Sequence, residues 1–222
     1  MSGGDDFVAR LRRLDCCSLS DALDALGLDG VVTGVPQAAA SRRIAGRAVT
    51  LKVGPGSPPP GPQRHLGTAA IESGDADSVL VIEQSSGVDA GCWGGLLTLA
   101  AAARGIAGAI ADGPVRDIDE AIEQDWPIFT RKTTCRTARG RVVELGTNVP
   151  VTFEGLSVAP GDYVAADRSG IVVIRPGDID RVLGAAEAIV ARETAIAAAV
   201  RAGTPAAQAM AGNYETMLKD LR

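Results

Sequence analysis

Strand, helix and strand signals follow one another so closely in the middle of this chain that few folds can accommodate them. Ser78-Val-Leu-Val-Ile-Glu83 is an unbroken apolar run of strand length, closed by a turn at Gln84-Ser-Ser-Gly87. A glycine-rich turn at Gly91-Cys-Trp-Gly-Gly95 then leads into a helix over about 95–104 and a short apolar strand over 106–111. A helix over 118–124 and a strand over 127–130 repeat the unit. Strands joined this way pair in parallel through right-handed crossovers, because a tight hairpin joins only antiparallel neighbours. Aromatic residues make up only 3% of the chain and Ala and Gly abound, so the core is expected to be Ala, Val, Ile and Leu in close-packed α/β layers.

The flanks read as one continuing domain. Apolar residues at helical spacing begin at Phe7. Ser18-Leu-Ser-Asp21 reads as a capping box with Ser18 as N-cap, for a helix that presents Leu19, Ala22, Leu23 and Leu26 on one face and stops at Gly27. Residues 44–53 alternate as a strand. The Pro/Gly-rich segment 54–62 is a surface loop or lid rather than an interdomain linker, and 63–73 reads as a helix carrying His65. From 139 to 173 the pattern changes to short strands at 142–145, 149–153, 163–166 and 171–174, divided by turns at Gly155, Pro160-Gly161 and 167–170. Asp178 is the expected N-cap of a long Ala-rich helix over about 178–202. Its length suits packing against a second subunit, as does the tail 203–222. The 222 residues thus read as one α/β domain with a central βαβ unit, a β-rich second half and a long C-terminal helix.

A net charge of −5 argues against nucleic acid or an anionic membrane as the main partner, although Arg42, Arg43 and Arg47 cluster locally. No apolar run approaches membrane-spanning length and residues 1–13 lack a basic-then-apolar leader pattern, so cytoplasm is the expected compartment. Cys16, Cys17, Cys92 and Cys135 have neither zinc-ligand nor sensible disulfide spacing and read as reduced thiols. With His65 the only histidine, a two-His mechanism within one chain is impossible. Lys52, Lys132 and Lys219 are the only lysines. Lys52 could serve as a Schiff-base amine but alternates as the solvent side of a strand, so a metal is the better electron sink for carbonyl chemistry here.

The chemistry concentrates between Gly91 and Asp117. A helix that opens behind Gly94 and Gly95 offers bare backbone N–H groups to an anion. Arg116, just after an Asp112-Gly-Pro-Val turn at the strand's C-terminal end, offers a fork of donors suited to a carboxylate. Asp117 beside it can ligate a hard divalent ion through oxygen. Each has a plain alternative. Asp117-Ile-Asp-Glu120 also reads as a capping box, Arg116 as a surface residue, the glycines as close-packing residues and Trp93 as a hydrophobic plug or an interface residue.

Asp112-Gly-Pro-Val-Arg116-Asp117, preceded by Trp93-Gly-Gly-Leu-Leu-Thr-Leu-Ala-Ala and followed by Asp125-Trp-Pro-Ile-Phe129, resembles the RraA-like family. That family contains 4-hydroxy-4-methyl-2-oxoglutarate aldolases/oxaloacetate decarboxylases as well as regulators of ribonuclease activity. Ser18-Leu-Ser-Asp-Ala-Leu23, Ile44-Ala-Gly-Arg-Ala48, Ser157-Val-Ala-Pro-Gly-Asp162 and Asp167-Arg-Ser-Gly-Ile-Val-Val173 are similar to other family blocks, so the resemblance covers most of the chain. It implies a swivelling β/β/α domain, assembly as a homotrimer or homohexamer with sites between subunits, and a small α-keto acid substrate. It implies that Arg116 binds the pyruvate carboxylate and helps hold the enolate, that Asp117 ligates Mg²⁺ or Mn²⁺, and that the backbone amides of Gly94, Gly95, Leu96 and Leu97 receive the carboxylate. The sequence departs from the aldolases at Gly95, twenty-one positions before Arg116, where they carry an acidic residue that organises the metal's waters. Glu83-Gln84 stands where many members have an Asp, and Glu187 and Glu193 are the candidates for a family carboxylate near the C-terminal helix, with spacing that assigns neither. The expected activity is metal-dependent cleavage of a small α-keto diacid to pyruvate. The alternative is a metal-free protein-binding regulator of a ribonuclease, which Gly95 favours.

Overall fold

The computed structural model describes residues 5–57, 60–61 and 64–211. Along the chain run α1 (Asp6–Leu11), α2 (Cys16–Leu26), β1 (Val31–Val32), β2 (Gln37–Ala39), β3 (Ile44–Gly54), α3 (Thr68–Ser73) and β4 (Ser78–Glu83). Then come α4 (Gly95–Ala103), β5 (Ala109–Val115), α5 (Ile118–Glu123), β6 (Ile128–Thr133), β7 (Val143–Thr147), β8 (Val151–Phe153) and β9 (Leu156–Val158). β10 (Tyr163–Asp167), β11 (Gly170–Ile174), α6 (Ile179–Arg201) and α7 (Ala206–Ala209) complete it.

The main sheet runs β1-β11-β10-β3-β4-β5-β6-β2, with β7 paired to the second half of β3. Its centre, β3-β4-β5-β6, is parallel, as the strand–helix–strand spacing requires, and the outer pairings are antiparallel. Alternation along the strands sorts two cores. Leu80 and Ile82 of β4 face α3, α4 and α5 together with Leu51, Ala109 and Leu97. Val79 and Val81 face the other way, toward Phe129, Val151, Phe153 and Val158, where the β8-β9 hairpin covers the sheet. A further cluster packs α1, α2 and α6 onto β10 and β11 through Leu19, Leu23, Val172, Ile174 and Leu183. Hairpin, sheet and helices therefore make the three layers of a β/β/α domain. Among the described residues no helix is long and apolar enough to cross a membrane.

Several local expectations change. Asp15, not Ser18, caps α2: its carboxylate accepts from the Ser18 backbone N–H (2.9 Å) and the Ser18 hydroxyl (2.8 Å), so Ser18 lies inside the first turn. α3 starts only at Thr68, after Gly67 in a left-handed conformation (φ 82°), so His65 is outside any helix and Gln63 lies outside the described residues. The loop expected over 54–62 likewise lies partly outside the described residues, as does the tail beyond 211. Asp178 occupies the N-cap position of α6, but its side chain pairs with Arg181 (2.6 Å) rather than capping. Of the basic cluster, Arg42 pairs with Asp125 (3.5 Å) and Arg47 with Asp5 (3.3 Å).

The change that matters for function is in β5. Asp112-Gly-Pro-Val, expected as a turn after a strand ending at 111, continues the strand to Val115. A register shift between Ala111 and Pro114 accommodates the proline, whose carbonyl accepts from Cys92 N–H (2.8 Å). Gly113 is required there, because a Cβ would stand 2.6 Å from the Gln84 Cβ.

Candidate active site

β5 delivers Arg116 and Asp117 to the C-terminal edge of the parallel sheet, where α/β domains bind ligands. Arg116 N–H donates to Trp93 C=O (3.1 Å), which locks the end of β5 to the turn that starts α4. Trp93 is buried, stacks on Trp126 with ring centroids 6.0 Å apart, and donates its indole N–H to Thr98 Oγ1 (3.0 Å). The turn therefore rests on a rigid aromatic floor. Of the two readings of Trp93, its burial at 1% exposure favours the plug.

Asp117 is at the N-cap position of α5, but in a left-handed conformation (φ 59°) and without capping that helix. Its Oδ2 instead accepts from the Gly95 N–H (2.9 Å), so the carboxylate caps α4, the neighbouring helix. The capping-box reading of Asp117 is corrected accordingly. The φ turns the side chain away from its own helix and toward the next one. Arg116 Nε donates to both Asp117 oxygens (3.1 and 3.2 Å). The pair is about one-third exposed, at 37% for Arg116 and 28% for Asp117. N–H groups in the first turn of α4, at Leu96 and Leu97, have no intrahelical acceptor, as in any helix. Leu97 is buried and Leu96 is 80% exposed.

The glycines are explained by space. A Cβ on Gly91 would stand 3.0 Å from Arg116 Cγ, and one on Gly94 would stand 2.8 Å from Asp117 Oδ2. At Gly95 a Cβ would lie 1.8 Å from Glu120 Oε2 and 3.2 Å from Asp117 Cβ. Glu120, in the first turn of α5, thus puts its carboxylate where a side chain at position 95 would go. The sequence assigns Glu120 only a capping role. Its signal was the three-residue spacing from Asp117, which places both on one face of a helix start.

Among the described residues no group of three or more His, Cys, Asp or Glu side chains is arranged to hold a metal. The Glu120 carboxylate lies beside Gly95, and the Asp117 carboxylate beside Gly94, its neighbour. That donor set does not form a cage, but it fits Mg²⁺, which keeps several waters and takes one or two carboxylates. Other candidate carboxylates are engaged elsewhere. Glu83 pairs with Lys52 (3.2 Å) and accepts from Thr152 N–H (2.7 Å), which removes Lys52 as a free amine. Gln84 donates to the carbonyls of Val88 (3.0 Å) and Ala90 (3.2 Å). Glu187 is held by Arg10 (2.9 Å), whose hydrogen bonds keep its carboxyl below the usual range. Glu193 on α6 is pushed up by burial and by Asp15 and Asp21, and lines neither cavity beside Arg116 and Asp117.

Two open cavities meet at Arg116 and Asp117. The smaller, about 570 Å³, lies toward Glu120 and Cys135. The larger, about 840 Å³, takes in residues 91–97 together with His65 and the segment 137–144.

A β/β/α layered domain with an Arg-Asp pair set against a helix N-terminus, at the end of a parallel sheet, is an aldolase/RraA-class architecture. The chain belongs to the RraA-like family, described as Aldolase/RraA, whose sequence model matches residues 16–173. It is 30% identical over 179 residues to a Halalkalibacterium halodurans protein named "Putative 4-hydroxy-4-methyl-2-oxoglutarate aldolase", covering 80% of each chain. It is 28% identical over 204 residues to Protein DlpA of Legionella pneumophila, covering 92% of this chain but only 33% of that protein. Among solved structures, an uncharacterized protein of Pseudomonas syringae pv. tomato matches with a TM-score of 0.82 at 32% identity, covering 91% of this chain and 96% of the other. Streptomyces coelicolor RraAS2, titled an unusual member of the RNase ES inhibitor RraA protein family, matches at 0.75 and 25% identity, covering 87% and 96%.

Proposed function

We propose that this protein is a divalent-metal-dependent lyase that cleaves a C–C bond of a small α-keto diacid and releases pyruvate. The observation that carries this reading is the interlock of Arg116, Asp117 and the first turn of α4, with Asp117 Oδ2 2.9 Å from Gly95 N and 3.2 Å from Arg116 Nε. It joins a fixed cation, a carboxylate and a helix N-terminus around one point. Similarity to relatives named as aldolases of this substrate type supports it.

In this reading Asp117, with Glu120 in the space left by Gly95, would hold Mg²⁺ or Mn²⁺, which supplies a Lewis acid for the keto oxygen. Arg116 binds the carboxylate next to the keto group and stays beside the oxygen on which negative charge grows as the C–C bond breaks. The amides of Leu96 and Leu97 add fixed donors that need no reorganisation during the reaction. Gly94 and Gly91 keep the path clear for the Arg116 stem. A homotrimer or homohexamer belongs to the same proposal. Leu96, Leu99 and Ile122, 80%, 56% and 52% exposed, give α4 and α5 an apolar surface beside the site.

The competing reading is a protein-binding regulator of a ribonuclease. It is favoured by Gly95 and by the lack, among the described residues, of a three-ligand metal cluster. One comparison separates the two: pyruvate release from oxaloacetate and 4-hydroxy-4-methyl-2-oxoglutarate with Mg²⁺, Mn²⁺ or EDTA, wild type beside Asp117→Ala, with Mn²⁺ binding measured in parallel. Metal-dependent turnover and Mn²⁺ binding that are both lost in the variant support the lyase. Folded protein without turnover or Mn²⁺ binding supports the regulator.

A further inference from the structure

The 840 Å³ cavity is much larger than the pyruvoyl end of a substrate needs. Six heavy atoms at roughly 30 Å³ each occupy roughly 180 Å³. The remaining space is bounded by two segments far from the Arg-Asp pair in sequence: Arg64 and His65 ahead of α3, and Thr137 to Glu144 leading into β7. Its charge is opposite in sign to that of the chain. Three arginines, Arg64, Arg116 and Arg139, line it against two carboxylates, Asp117 and Glu144, while the whole chain carries −5. Asp117 sits against Arg116 and the Gly95 N–H at the near end of the cavity. Glu144 accepts from Gly67 N–H (2.8 Å) and Thr147 Oγ1 (2.6 Å), so it is tied into the wall. Arg64 is shared with Glu72 (3.0 Å) on the exposed side. Arg139 is the cavity arginine whose guanidinium has no ion-pair partner among the described residues. His65 Nδ1 lies 3.0 Å from the Leu66 carbonyl oxygen, so its other ring nitrogen, Nε2, is the one left for a ligand.

We propose that Arg139 is the specificity residue for the far end of the substrate. Its guanidinium binds a second carboxylate, beyond the bond that breaks, with Arg64 and His65 completing that end of the cavity. This rests on the lyase reading for the near end, where Arg116 takes the first carboxylate, and it assigns this chain's own residues to the other end. A planar fork of donors on the wall matches a carboxylate bidentately, and an α-keto acid that ends in a methyl group leaves those donors without an acceptor.

The test compares two probes of equal chain length, 2-oxoglutarate and 2-oxopentanoate, which differ only in the distal carboxylate. Their dissociation constants are measured by calorimetry with Mn²⁺, on wild type, Arg139→Ala and Arg139→Lys, beside the pyruvate-release assay. Wild type is expected to prefer 2-oxoglutarate by about tenfold or more, as a charge-assisted pair provides. Arg139→Ala should lose that preference, and Arg139→Lys should keep part of it. Equal affinity for the two probes in wild type overturns the proposal, as does a preference that survives Arg139→Ala. The two readings fail separately. Pyruvate release without a probe preference sinks only the Arg139 assignment. An Arg139-dependent preference without pyruvate release sinks the lyase and leaves a dicarboxylate-binding site.

Discussion

Asp117 combines two demands that seldom coincide. A left-handed backbone at a non-glycine residue costs on the order of 1 kcal/mol and is best tolerated by Asn and Asp. The resulting direction of the side chain lets it cap α4 instead of its own helix. Asp117→Asn should keep backbone and cap, so its melting temperature should stay within about 2 °C of wild type while Mn²⁺ binding is lost with the charge. Asp117→Ala should lose the cap as well, about 1 kcal/mol or about 2–4 °C by calorimetry. The thiols give a second check at this scale. Burial pushes the Cys92 thiol up to about 12 and raises Cys16 as well, whereas Cys17 and Cys135 are exposed. A thiol reagent at neutral pH should modify two cysteines in the folded protein and all four after denaturation.

At the scale of elements, α1 is tied to α6 by Arg10, which holds Glu187 (2.9 Å) and Asp180 (2.8 Å). Hydrogen bonding from Arg10 lowers the Glu187 pKa from its ordinary 4.5. A lowered folded-state pKa means stability fully present above pH 4.5 and lost as the pH falls from there toward the folded value. The pair is partly exposed, so the contribution is about 1 kcal/mol or less. Glu187→Gln should lower the melting temperature at pH 7, and the gap to wild type should shrink at pH 3. A gap of equal size at both pH values would show that packing of α1 on α6, not charge, makes the tie.

For the whole molecule, the exposed apolar face of α4 and α5 beside the site is the surface on which the proposed assembly depends. Light scattering should give three or six chains for wild type, and Leu96→Asp should shift the mass toward one chain. A single-chain mass for wild type would remove the assembly from the proposal.

The amino-acid sequence by itself determined the parallel βαβ centre, the strand Ser78–Glu83, the long C-terminal helix and the place of Arg116 and Asp117 at a strand end. Each depends on apolar periodicity and turn residues within a short window, which the chain's own order displays. Tertiary structure alone decided that β5 runs through Pro114, that Asp117 caps α4 rather than α5, and that Glu120 occupies the space beside Gly95. It also decided that Arg64 and Arg139 share a cavity with Arg116. Those outcomes depend on which atoms arrive from elsewhere in the chain. A proline can extend a strand when Cys92 N–H comes to its carbonyl, and a carboxylate caps whichever helix start lies within hydrogen-bond reach.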